Sequence, residues 1–183
     1  NMAEPQFVHL RLHTEYSLLD SVVRIKPLVA QVRDIAMPAV AVTDHNNLFA
    51  MVKFYRAALA SGVKPIIGVD LLLRHADERQ GPTRFSLLCL DQTGYGNVTR
   101  LVTRAYLEGQ QKGVPLVDRE WLTRASCAGL IALSGAGEGD VGRVVVGTGV
   151  RGVGGAVGLL VAATGQQQTD GEHEGRGPGL STA

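Results

Sequence analysis

Phe7–Asp20 reads FVHLRLHTEYSLLD, and Ala39–Asn47 echoes it as AVAVTDHNN. Each is an apolar run that stops abruptly at His, Asp, Thr or Asn, the pattern of a buried strand that delivers polar groups to a site. Strand side chains alternate with a period of two. Phe7, His9, Arg11 and His13 therefore fall on one face, with Val8, Leu10 and Leu12 on the other. Three nitrogen-bearing side chains are a heavy polar load for one strand face. In the second stretch Ala39–Val42 is apolar throughout, as in a strand buried on both sides. Asp44 and His45 follow where that strand should end.

Around these stretches the pattern alternates. Leu28, Val32, Ile35 and Ala36 keep helical spacing, with Pro27 suited to the first turn and Met37-Pro38 to a stop. A second helix is predicted from about Leu48 to Ser61, with Leu48, Met51, Val52, Tyr55 and Leu59 as its apolar face. Asn47 fits its N-cap and Gly62 its C-terminal stop. Pro65–Leu73 and Phe85–Leu90 read as strands on either side of a polar loop, His75–Thr83. Tyr95–Leu107 and a shorter piece near Asp118–Ala125 read as helices, and Gly129–Leu133 as the last strand. Such alternation predicts parallel βαβ units, with polar residues at the strand ends forming an open α/β or barrel-like site.

The chain has 183 residues, about one domain, and its 45% hydrophobic content is enough to build a core. Its 18 basic residues against 17 acidic ones give +1, which argues neither for nor against nucleic acid. Cys89 and Cys127 sit in apolar surroundings and read as buried free thiols of a reducing compartment. With no basic-then-apolar leader and no apolar run of about 18 residues, a soluble cytoplasmic protein is expected. The character changes near Arg143. Residues 144–183 hold 11 of the 23 glycines and no aromatic residue. A composition like that hardly repays the entropy of ordering, so a disordered, low-complexity tail is expected there, or a stretch from a shifted reading frame.

His13, Asp44 and His45 have the residue types of a divalent-metal site on loops above parallel strands, as in metal-dependent phosphoester hydrolases. Three scattered side chains are a weak signal, and turn or capping residues have the same look. His9 lies roughly 13 Å along the strand from His13 and reads as a packing residue. Arg11 has no lone pair for a metal and reads as the ion-pair partner of a carboxylate, Asp44 or Asp70. Thr93–Asn97 lacks any phosphate-loop pattern and reads as a helix-entry turn, while Gly135–Gly142 reads as a flexible turn.

Taken together and in order, HLRLHTEYSLLDS, MPAVAVTDHNNLFAMVKFYRAALASGVKPIIGVD, TGYGNVTRLVTRAY and GLIALSGAGEGDVGR resemble the N-terminal polymerase-and-histidinol-phosphatase (PHP) domain of bacterial DNA polymerase III alpha subunits. The resemblance runs from about Pro5 to Arg143. It implies an α/β fold, the first part of a distorted (β/α)7 barrel, at residues 1–143. It also implies a place in the replicative DNA-directed DNA polymerase, a nucleotidyltransferase using magnesium, whose palm lies outside this chain. The implied partners are a separate proofreading exonuclease subunit, the other holoenzyme subunits and, through the polymerase, DNA. The competing reading is a free-standing metal-dependent PHP phosphoesterase.

Residue by residue, the resemblance implies a vestigial zinc or manganese site. The family's His-x-His reads Arg11-Leu12-His13, its Thr-Asp-His is intact as Thr43-Asp44-His45, and its Gly-x-Glu reads Gly68-Val69-Asp70. A later histidine of the family falls at Arg84 and a cysteine at Ala136, and the final ligand pair would lie beyond Arg143. That leaves His13, Asp44, His45 and Asp70 as the remaining ligand positions, with no catalytic or cofactor-binding residue in this chain. Arg11 would then replace the charge of the metal.

Overall fold

The computed structural model describes residues 7–75, 81–135, 139 and 161–162. In chain order these form α1 (Ile25–Asp34), β1 (Ala39–Val42), α2 (Met51–Ala60), β2 (Lys64–Leu73), β3 (Thr83–Cys89) and α3 (Gln92–Leu107). A small hairpin of β4 (Gln110–Gln111) and β5 (Val114–Pro115) follows, then β6 (Leu130–Ser134) and β7 (Val161–Ala162). The main sheet has the order β1-β2-β3-β6-β7. Among the described strands only β1 and β2 pair in parallel; β3 runs antiparallel to both β2 and β6, and β7 antiparallel to β6. The all-parallel expectation is therefore corrected to a mixed sheet. Chain length gives the reason at the first reversal. A parallel return takes about a dozen residues or more, and 74–82 are too few.

Phe7–Leu12 is not a regular strand. It makes a single bridge, His9 to Val40, and its carbonyls at His9 and Leu12 accept from Ala41 and Thr43 N–H at 2.8 Å each. Three residues here oppose two of β1, a bulge that breaks strict alternation. His9 meets the Phe7 ring edge-on, at 4.7 Å between centroids. Arg11 and His13 converge elsewhere.

Even and odd residues of β2 have different neighbours. Ile67 packs on a cluster built from α1, α2 and β1, including Val29, Val32, Val42 and Phe54. Val69 and Leu71 pack with Leu87, Val98 and Leu101 beneath α3. All three helices thus cover the odd face. Gly68 and Asp70 look the other way, as do Arg84 and Ser86 of β3 by the same period. Gly68 is required by crowding: a Cβ there would lie 2.7 Å from the Leu87 carbonyl oxygen and 2.9 Å from Thr43 Cγ2.

The apolar face expected for α2 is the wrong one. Phe54 and Ala58 are its buried residues, while Val52, Tyr55 and Leu59 are exposed. The helix carries two apolar stripes, and the one containing the large Phe54 ring faces α1. Asn47 does not cap α2, whose N-cap is Ala50; its side chain instead ties Phe49 N–H to the carbonyls of Tyr16 and His45. The helix expected at Asp118–Ala125 is reduced to a single 3-10 turn, Arg119–Trp121. Thr93–Asn97 lies within α3 itself, capped by Asp91, whose carboxylate accepts from Gly94 N–H at 2.9 Å.

Cys89 and Cys127 are free and half-buried. Burial, with Asp91 nearby, pushes the Cys89 thiol up to about 11, which leaves it protonated and unreactive. No helix among the described residues is long and apolar enough to cross a membrane. Ala136 and, apart from Val161–Ala162, the glycine-rich stretch from residue 144 lie outside the described residues.

Candidate functional site

The polar face of the sheet gathers at the C-terminal end of β1 and the middle of β2. Backbone pairing fixes the two ends: Asp70 N–H donates to the Asp44 carbonyl at 3.1 Å, and Asn46 N–H to the Asp70 carbonyl at 2.8 Å. The four expected ligand positions, His13, Asp44, His45 and Asp70, therefore lie close together, but they divide into separate hydrogen-bonded groups.

Asp44, 1% exposed, faces the turn that follows the first segment. Its carboxylate accepts from Thr14 N–H at 2.6 Å, Thr14 Oγ1 at 2.7 Å and Ser17 Oγ at 2.7 Å. Ser17 Oγ in turn accepts from His45 N–H at 3.0 Å. Three donors on one buried carboxylate make it a fastener between chain segments.

Asp70 is wholly buried. Its Oδ2 accepts from Arg11 Nε at 2.7 Å and from His13 Nε2 at 2.8 Å, and its Oδ1 from Ser86 Oγ at 2.5 Å. His13 Nδ1 meets Asp20 Oδ2 in a second close ion pair. The Asp70 hydrogen bond is the chief cause that raises the His13 pKa above its ordinary value, against the opposing effect of burial. Burial alone would raise Asp70, but the hydrogen bonds from His13 and Ser86 and the charge of Arg11 outweigh it and hold the carboxyl low. A carboxyl oxygen at each ring nitrogen favours the protonated imidazolium of His13, which donates from both.

His45 is the opposite case. Arg84 Nη2 lies 3.2 Å from its Nε2, and burial followed by the Arg84 charge lowers its pKa. Both favour the neutral ring, with Nε2 accepting and a buried Nδ1 that has no hydrogen-bond partner among the described residues. The two rings lie nearly parallel, 6.2 Å apart at their centroids, one charged and one neutral.

This donor set does not fit a divalent cation. A ligand must offer a lone pair. His13 offers none, the Nε2 lone pair of His45 faces a guanidinium, and both carboxylates are committed to donors. Among the described residues no three His, Cys, Asp or Glu side chains form a group that could hold a metal ion. Asp20, Ser86, Thr14 and Ser17 complete the network, and the sequence reading singles out none of them. One signal was available for Ser86. In an antiparallel β2–β3 pair it stands directly opposite Asp70, as the register shows.

The chain is similar in sequence to known proteins. A family model described as the PHP domain matches residues 9–167, a span that continues past Arg143. The DNA polymerase III subunit alpha of Pseudomonas fluorescens is 50% identical over 141 residues, covering 77% of this chain and 12% of that protein. That of Escherichia coli K12 is 43% identical over 142 residues, covering 78% of this chain and 12% of the relative. The chain thus spans about 12% of the length of the curated relatives it matches. Among solved structures, an amidohydrolase from Chromobacterium violaceum overlaps 54% of this chain and 32% of its own at 16% identity, with a TM-score of 0.44.

Proposed function

The chain belongs to the PHP domain family, and we propose that it is the PHP portion of a bacterial replicative DNA polymerase alpha subunit, serving there as a metal-free scaffold. The observation that carries this reading is the pair of guanidiniums, Arg11 on Asp70 and Arg84 on His45. Positive charge that a zinc or manganese ion would bring is supplied by the chain itself. Asp70 then stays ionised without an ion. Identity of 43–50% to alpha subunits supports the polymerase context. In this reading the described sheet is part of a distorted PHP barrel. DNA synthesis with magnesium belongs to residues outside this chain, in the cytoplasm. The scaffold receives the proofreading exonuclease subunit within the holoenzyme, and the polymerase as a whole holds DNA.

Elemental analysis of the alpha subunit purified without chelator tests the scaffold. Substoichiometric zinc and manganese are expected. One ion per chain, with hydrolysis of a phosphate ester, would favour the phosphoesterase reading instead. Primer extension by the same preparation tests the polymerase context, and its absence would overturn that part.

A further inference from the structure

The loop between the first segment and α1 is pinned at both ends and lightly held between them. Ser17 Oγ donates to the Asp44 carboxylate at 2.7 Å, and Ser21 Oγ to the His13 carbonyl at 2.8 Å. Glu15 N–H reaches the Val23 carbonyl at 2.8 Å and closes the base of the loop. Leu18, Leu19 and Asp20 bridge the two pins. Leu18 adds little packing, since it is 81% exposed. The tip is tied down by the ion pair of Asp20 with His13 Nδ1, where the His13 side chain is 14% exposed and that of Asp20 42%.

The backbone of that tip is strained. Leu18 has φ 50° and ψ −107°, at a kink where two 3-10 turns meet. These are close to the angles of the first central residue of a type II′ turn, about +60° and −120°, a position that glycine ordinarily fills. A residue with a Cβ is crowded there. Leucine also lacks the short polar side chain with which Asn or Asp would bond the local backbone and offset the cost. Strain of this kind persists only where the surroundings impose it, and here they are two serine pins and one ionic contact. We infer that Ser17–Ser21 is a strap over His13, latched by Asp20 and driven open by the Leu18 backbone. Opening pivots on the two pins, relaxes Leu18 to a negative φ and withdraws Asp20. It gives solvent and solutes access to the His13 ring and to Asp70, whose carboxylate accepts from His13 Nε2 at 2.8 Å. The strap thus regulates entry to the polar face of the sheet. It does so whether or not the chain serves a polymerase.

Amide hydrogen exchange of the full 183-residue chain tests this, followed residue by residue by NMR and corrected for intrinsic rates. Exchange within the turn Glu15–Asp20 reads opening of the strap, and exchange at Val40 and Val69 in the sheet reads global unfolding. Asp20→Ala removes the latch and should speed exchange in the turn about tenfold or more. Leu18→Gly should slow it about threefold or more, because glycine takes the native angles without strain. That sign decides the matter, since in an unstrained loop glycine adds backbone freedom and speeds exchange. Combined with Asp20→Ala, Leu18→Gly should bring the rates back to within about threefold of the parent. Val22→Gly, at an exposed position outside the left-handed region, should not slow exchange. Faster or unchanged exchange in Leu18→Gly overturns the inference, as does no response to Asp20→Ala. Acceleration of Val40 and Val69 in step with the turn would make the opening global unfolding, and that result overturns it too.

Discussion

Arg11 Nε lies 2.7 Å from Asp70 Oδ2, joining a side chain that is 39% exposed to one wholly out of solvent. The contact bridges 59 positions of sequence and fastens the irregular first segment to the middle of β2. Asp70 is the buried end of this ion pair, and it also accepts from His13 and Ser86.

Arg11→Ala removes one of three donors from a buried carboxylate while His13 and Ser86 remain. Partial exposure of Arg11 discounts the loss, so destabilisation of about 1–2 kcal/mol is expected. Urea denaturation gives the number. A double-mutant cycle with Asp70→Asn should show coupling of the two losses, and simple additivity would mean that the contact contributes nothing.

Asp44→Ala should be worse. It leaves the Thr14 amide, the Thr14 hydroxyl and the Ser17 hydroxyl without their acceptor in a buried setting. A cost of about 3–5 kcal/mol is expected, with Asp44→Asn near half of that because one acceptor oxygen survives. Exchange of the Thr14 amide hydrogen should accelerate in step. An Asp44→Ala chain as stable as the parent would show that the carboxylate is not the fastener described above.

Acid and base act on the two histidines in opposite senses. His13 is raised above 6.5, chiefly by its Asp70 hydrogen bond, so its contribution is complete below pH 6.5 and is lost as pH rises through the raised value. His45 is lowered from 6.5, by burial and then by Arg84. Its contribution is complete above pH 6.5 and is lost as pH falls through the lowered value. Asp70, held below 3.8, adds a loss in acid as pH falls through its own lowered value. Denaturation midpoints from about pH 5 to 8 should therefore respond selectively. His13→Gln should flatten the decline on the alkaline side, and His45→Gln the decline on the acid side. The same profile in both variants would contradict the assignment of charge.

Element positions were legible because apolar runs and breakers are local: Met37-Pro38 ends α1, and Ala39–Val42 is the buried strand expected. That Arg11 pairs with a carboxylate was legible too, since a guanidinium beside a strand has few other uses, but sequence left Asp44 and Asp70 equally open and the structure chooses Asp70. Strand direction was partly readable, because nine residues between β2 and β3 cannot make a parallel return. The buried face of α2 was not readable: Val52, Tyr55 and Leu59 form as good a stripe as Ala50, Phe54 and Ala58, and only the position of α1 chooses between them. Asp20 on His13 depends on the path of a 3-10 turn, in which Leu18 takes a φ of 50°. No sequence period encodes that.

Arg11→His recreates the His-x-His of metal-loaded family members, yet it should raise zinc affinity only slightly. The new imidazole would stand beside His13, whose two nitrogens still donate to Asp70 and Asp20. His45 would still face Arg84 at 3.2 Å. Each guanidinium opposes a cation twice, once by like charge and once by occupying a lone pair the metal needs. Adding Arg84→His removes both obstacles at His45, so the double variant should bind zinc clearly more tightly than either single one in calorimetric titration. Tight stoichiometric binding by Arg11→His alone would place this chain one substitution from a working metal centre. The scaffold reading would then lose the observation that carries it.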